Sequence, residues 1–172
     1  MIQIRAERNG DQEAIRQIND AAFKGDNESR LVDAIRKSEL FVPELSLVAE
    51  TDGELIGHIL FSIVHIQSGD VEIPTVALAP MAVVPEHQNK GVGSLLVEEG
   101  LKRAEDQGFK HVVVLGHPDF YPKFGFVRAS TKGIEAPFPV PDEVFMAKEI
   151  KVGSLHQIIG KIVYPPAFDT VS

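Results

Sequence analysis

Apolar and polar residues alternate at the start of the chain, with Ile2 and Ile4 set between polar neighbours. This period of two predicts a short strand. Asn9, Gly10 and Asp11 interrupt it, and Ala14, Ile15, Ile18 and Ala22 then recur at helical spacing. Gly25, Asp26 and Asn27 break that helix. A second helix is predicted over residues 28–37, with Leu31, Val32 and Ile35 inward. The run "LSLVAETDGELIGHILFSIVHI" reads as a hairpin, because Asp52-Gly53 is a two-residue turn signal between two β-rich stretches. "SGD", residues 68–70, turns the chain again. "TVALAPMAVV", residues 75–84, is apolar on both faces, as a central strand must be. Pro80 inside it lacks the donor that a regular ladder needs, so a bulge or splayed edge is expected there.

A third helix is predicted over residues 91–107. Val92, Leu96, Val97, Gly100, Leu101 and Ala104 share its broad inner face, and Gly108 suits its C-terminal cap. "HVVVL" follows as a buried strand, and strand–helix–strand predicts a parallel pair joined by a right-handed crossover. A helical turn near "PDFYPKF", strands around residues 126–128 and 144–150, and an extended loop through "EAPFPVPDE" come next. One more short helix or strand is expected after Ser154. No repeat or composition shift marks a second domain. A single domain over residues 1–172 is expected, with a core of residues 1–150 and a C-terminal extension, 151–172.

Composition narrows the chemistry. A chain of 172 residues buries roughly 70% of its unfolded surface, so no staple is required. There is no cysteine, which excludes disulfides, thiolate metal sites and a cysteine nucleophile. The net charge of −8 does not attract nucleic acid, and it favours cationic substrates or simply solubility. The N-terminus has no signal-type apolar core, and no run approaches the ~20 residues of a membrane span. A cytoplasmic protein is expected, with no membrane partner. The scattered histidines lack ligand spacing, so no metal site is expected. No Gly-x-Ser-x-Gly elbow points to a serine hydrolase.

The chain gives up its side chains at "PEHQNKGVGSLL", where a buried strand ends and a helix must begin. The first helical turn leaves backbone N–H groups unpaired, and the helix dipole favours anions there. Glycine lets a ligand approach that backbone. A phosphate site and a tight turn both satisfy the pair Gly91 and Gly93. A dinucleotide loop would need a third glycine where Leu96 stands, and Gly-Lys-Ser/Thr is absent, so a nucleotide-binding α/β protein fits less well.

In its setting, "LAPMAVVPEHQNKGVGSLLVEEGLKRAEDQGF" resembles the central motif of the GNAT superfamily of N-acetyltransferases: a strand, Gln/Arg-x-x-Gly-x-Gly/Ala, then a helix. "FYPKFGF" is similar to the Tyr-x-x-x-Gly-Phe segment after the family's fifth strand. "PFPVPDEVFMA" and "YPPAF" look like a bacterial branch of predicted acetyltransferases without a settled substrate. The resemblance implies a three-layer α/β fold: a mixed sheet of about six to seven strands between helices, with the fourth and fifth strands splayed. It also implies acetyl-coenzyme A as acetyl donor. Its pyrophosphate would rest on the backbone N–H groups of Gln88, Asn89, Lys90, Gly91, Val92, Gly93 and Ser94. Its pantetheine arm would lie along Met81, Ala82 and Val83.

Direct transfer to an amine needs a neutral amine, an oxyanion donor and help for the leaving thiolate. The resemblance puts a backbone N–H near Ala82 or Val83 in the second role and Tyr121 in the third. Taken alone, Tyr121 also reads as a half-buried aromatic. Some family members carry a glutamate on the fourth strand as base, but "ALAPMAVV" has none. Glu28, His117, Asp119 or a water remain for that role. The acceptor, a small-molecule or peptide amine, would meet loops near residues 23–30 and 135–143. A non-catalytic acyl-coenzyme A sensor on the same fold is the alternative, and the oligomeric state, homodimer included, stays open.

Overall fold

The computed structural model describes residues 1–170. In chain order it forms β1 (Gln3–Ala6), α1 (Gln12–Phe23), α2 (Asn27–Arg36), β2 (Ser46–Thr51), β3 (Glu54–Ser68) and β4 (Val71–Val83). Then follow α3 (Val92–Asp106), β5 (His111–Leu115), β6 (Val127–Arg128), β7 (Ile134–Glu135), β8 (Phe145–Glu149) and β9 (Gly160–Val163). The turn between β2 and β3 is made by Asp52 and Gly53, both at positive φ (51° and 75°), the mirror-image turn that suits the strand twist.

The strands form one mixed sheet. Its main path runs β1-β2-β3-β4-β5-β8-β6, with only β4 and β5 parallel along it. β9 pairs with the distal part of β3, from His65 to Gln67, and β7 runs parallel beside β9. These two short strands extend the sheet beyond the six or seven read from sequence. The tail after Ser154 thus supplies a strand, and the strand beginning at Val71 starts earlier than its apolar run suggests.

Alternation along β2 and β3 divides the core into layers. Leu47, Ala49, Ile59 and Phe61 face α3, whose Val92, Leu96, Val97 and Ala104 are buried against them. Val48 and Leu60 face the other way, onto Ile15 of α1 and Leu31, Val32 and Ile35 of α2. A further apolar cluster joins Ile134, Phe145 and Ile162 under the far end of the β3–β4 hairpin.

Two irregularities in β4 position the site. Met81 lies opposite Ile59 of β3, yet Leu78 lies opposite Phe61, so Ala79 and Pro80 together face Leu60 as a bulge. On its other edge β4 pairs with β5 only from Val76 to Leu78, against Val112 to Val114. Beyond that point the strands part, as the missing donor of Pro80 led us to expect.

Helix α3 can lie this close to the sheet because Gly100 has no side chain. A Cβ there would stand 2.2 Å from Cε1 of Phe61, which is fully buried. Alanine would gain about 1 kcal/mol of helix propensity but overpack a filled core at about 1–3 kcal/mol. At 2.2 Å the clash dominates. Gly100→Ala is expected to lower the melting temperature by several degrees in a thermal scan, at roughly 2–4 °C per kcal/mol for this size. An unchanged or higher value would show that α3 simply shifts outward.

Candidate active site

The parting of β4 and β5 opens a cavity of about 880 Å³. Three walls close it: the loop leading into α3, the elbow between α1 and α2, and the turn after β5.

The first wall is a row of backbone donors. Gly91 caps α3 in a left-handed conformation (φ 87°), which a side chain would strain. The first helical bond runs from Leu95 N–H to the Gly91 carbonyl at 3.1 Å. The N–H groups of Val92, Gly93 and Ser94 therefore precede the helical ladder and are open. Gln88 differs from its neighbours. Its backbone N–H turns back to the Pro85 carbonyl at 3.4 Å, and its side-chain amide donates to the Val83 carbonyl at 2.9 Å. The run of free donors thus starts at Asn89, itself at positive φ (62°). Asn89, Gly91, Gly93 and Ser94 line the cavity; Lys90 is exposed beside it, and the Val92 side chain is buried in the core. A Cβ on Gly93 would sit 3.4 Å from Met81 Cε and 3.7 Å from Phe120 Cζ. Lys123 lies over that same Phe120 ring, 4.6 Å from its centre, and brings a cation to this end.

The floor is the free edge of β4. Val84 N–H donates to the Ile56 carbonyl of β3 at 2.9 Å. Backbone groups alternate in direction along a strand, so those of Ala82 also point to β3, opposite His58. Those of Met81 and Val83 point to the edge that β5 has left. Both residues line the cavity and Ala82 does not.

Tyr121 forms the third wall. It opens a short 3-10 turn, Tyr121–Phe124, and its ring packs edge-on against Phe120 and Phe126, with centroids 5.0 and 5.6 Å away. The residue is 7% exposed, and burial pushes its phenol up to about 12. It therefore keeps its proton across the physiological range. Its hydroxyl has no protein partner among the described residues.

Glu28 and His117 also line the cavity, whereas Asp119 does not. Phe23 joins Glu28 from the α1–α2 elbow, but nothing from residues 135–143 reaches it. Ala136 and Val140 of that segment pack instead on the apolar cluster beside β9. Leu115, His87 and Phe120 line the cavity without having been singled out in the sequence. His87 immediately precedes Gln88, and its Nδ1 is buried without a partner among the described residues. Among those residues, no helix is long and apolar enough to cross a membrane.

Comparison with known proteins agrees with this architecture. A family model described as the acetyltransferase (GNAT) family matches residues 12–126. The chain is 40% identical over 131 residues to YjhQ, an uncharacterized N-acetyltransferase of Escherichia coli strain K12, covering 75% of this chain and 72% of that protein. Among solved structures, the GNAT family N-acetyltransferase YhbS from Escherichia coli, in complex with CoA, superposes with a TM-score of 0.89 at 28% identity, covering 98% of this chain and 92% of that one. A GNAT family acetyltransferase from Brucella melitensis, in complex with acetyl-CoA, gives 0.79 at 32% identity over 98% and 99%.

Proposed function

Because the chain belongs to the acetyltransferase (GNAT) family, we propose that it moves an acetyl group directly from acetyl-coenzyme A to an amine. The observation that carries this reading is the strand gap itself. It sets the backbone edge at Met81 and the Val83 N–H beside the open donors at the start of α3, with Tyr121 across the cavity. The residues fit the donor. Asn89, Gly91, Val92, Gly93 and Ser94 offer N–H groups to a pyrophosphate at the positive end of a helix, with Lys123 adding charge. The edge of β4 offers peptide groups to an amide-bearing arm, as an added strand would.

Chemistry then follows from three groups of this chain. Val83 N–H points into the gap, where it can donate to the oxyanion that forms when the amine nitrogen bonds to the thioester carbon. Tyr121 holds a hydroxyl proton that hydrogen-bonds the sulfur as the carbon–sulfur bond breaks. Glu28 and His117, or a water they hold, take the proton that the nitrogen sheds. The products are the N-acetyl amine and the free thiol.

Acetyl-coenzyme A is expected to raise the melting temperature. Binding to the native state alone adds about 2.7 kcal/mol at a hundredfold excess over Kd, or roughly 5–10 °C for a domain of this size. Gly93→Glu is expected to abolish that shift while the protein stays folded by circular dichroism, since the new carboxylate takes the place of the phosphates. A shift of the same size in the variant would place the donor elsewhere.

A further inference from the structure

The acceptor end of the cavity is built from different chemistry than the donor end. Phe23 and Leu115 both line it, and they are 42% and 45% exposed. Leu31 and Leu78 lie deeper. Exposed apolar side chains are ordinary singly, but here two line one concave site with a buried apolar floor. Among the described residues, Glu28 is the only carboxylate on the lining. It is half-buried in the first turn of α2.

The carboxylate is also unengaged. Its nearest cation in sequence, Arg30, is held by Asp26 at 3.4 Å and by the Asn27 side chain at 2.5 Å. Ser29, next to it in sequence, donates to Asp20 at 2.7 Å. Glu28 has no ion pair or hydrogen bond among the described residues. Of the charged residues of the elbow, Lys24, Asp26, Glu28 and Arg30, only Glu28 lines the cavity, which Phe23 lines as well. An aromatic face adds its own attraction for a cation.

We infer that the acceptor is a small primary amine with a compact apolar body and no carboxylate of its own, its ammonium drawn in by Glu28 and its body seated on Phe23, Leu31 and Leu115. The inference rests on the acetyl-transfer reading above and narrows it. The cavity of about 880 Å³ must also take the donor's arm, so the acceptor is compact. A polyamine, whose short methylene runs end in further cations, or an aminosugar with its hydroxylated ring gives these side chains little apolar surface. An amino acid brings a carboxylate against Glu28, and neither cation of the elbow, Lys24 or Arg30, lines the cavity to offset it. In the reaction the ammonium loses one proton, the freed amine nitrogen bonds to the acetyl carbon, and the thiolate leaves. One further proton departs from nitrogen, one is taken up by sulfur, and the balance is one proton released per turnover.

A matched pair of acceptors tests this. Phenethylamine and phenylalanine share the amine and the ring and differ by one carboxylate. Thiol release from acetyl-coenzyme A is measured for both, with spermidine as a polar cation. The wild-type protein is expected to prefer phenethylamine over phenylalanine, in kcat/KM, by at least about a hundredfold, and over spermidine by at least about tenfold, as one or two favourable contacts of 1.4 kcal/mol each imply. Glu28→Gln is expected to raise KM for phenethylamine and shrink the first ratio at least tenfold, while the acetyl-coenzyme A affinity from calorimetry stays the same. Phe23→Ala is expected to shrink the second ratio. Comparable turnover of phenylalanine, or a ratio unmoved in Glu28→Gln, overturns the inference. So does acetyl-coenzyme A binding with no acetylation of phenethylamine, and in that case the donor site stands. Absence of acetyl-coenzyme A binding removes the acetyl-transfer reading and the inference with it.

Discussion

Lowering the pH from about 6.5 to about 4.5 is expected to cost this fold about 2 kcal/mol through one histidine. His58 is completely buried, and burial, with the nearby Arg36 cation, pushes its pKa down to about 3. Its Nδ1 stands 3.4 Å from the side-chain nitrogen of Asn19, and its Nε2 stands 3.1 Å from Ser46 Oγ. The network assigns the proton to Nε2. Asn19 then donates to Nδ1, Nε2–H donates to Ser46, and the Ser46 hydroxyl donates to the Glu7 carboxylate. Arg36 closes the chain with two bonds to Glu7, at 3.1 and 3.2 Å. A second proton on His58 would face the Asn19 donor and carry an uncompensated charge in the core.

The unfolded chain has no such restriction and takes up that proton near pH 6.5. Stability from the neutral histidine is therefore complete above about pH 6.5 and falls by about 1.4 kcal/mol per unit as pH drops toward about 3. His111, also held low by burial, adds to the same slope. Asp11 does not enter this window. Arg5 holds its carboxyl below the usual carboxylate range, so its contribution is lost only in stronger acid. Urea unfolding at the two pH values, for wild type and His58→Gln, isolates the histidine. The variant is expected to be weaker at neutral pH and to lose clearly less on acidification. Equal losses in both proteins would assign the acid sensitivity to other groups.

This network marks the boundary of what the sequence made legible. His58 shows there only as one of several scattered histidines. Its direct partners are Asn19 of α1 and Ser46 of β2, with Glu7 one bond further on, and no local period connects them. The donor loop is the opposite case. Its groups are consecutive backbone amides, so Gly91 and Gly93 at a strand-to-helix junction already describe it, while the turn of Gln88 toward Val83 requires the folded edge of β4. Pro80 announced the bulge because a missing N–H is a local fact. β7 stayed hidden because a strand of two residues carries too little alternation to register, and four residues are so few that the tail holding β9 reads equally as helix or strand. Leu115 read as the end of a buried strand, and only the departure of β4 turns it toward the cavity.

Tyr121→Phe is expected to slow turnover by about 10- to 150-fold while leaving donor affinity nearly unchanged. Two magnitudes compete here. A general acid that transfers its proton in full contributes about 10²–10⁴-fold, whereas a hydrogen bond to a developing charge contributes about 1.5–3 kcal/mol. Burial decides between them. With the phenol lifted to about 12, full transfer to a thiolate whose ordinary pKa is about 8.5 runs uphill by about 5 kcal/mol. In the proposed mechanism the hydroxyl is then a fixed donor to the sulfur, and the thiolate collects its proton afterwards. Phenylalanine keeps the ring that packs on Phe120 and Phe126 and loses only that donor. Donor affinity, resting on main chain at β4 and α3, is preserved. An acyl donor with a more acidic thiol needs less help, so the deficit of the variant is expected to shrink with it. A residue that merely packs would slow both donors alike. Steady-state turnover of wild type and Tyr121→Phe with both donors decides the matter, and equal rates for the two proteins would remove Tyr121 from the mechanism.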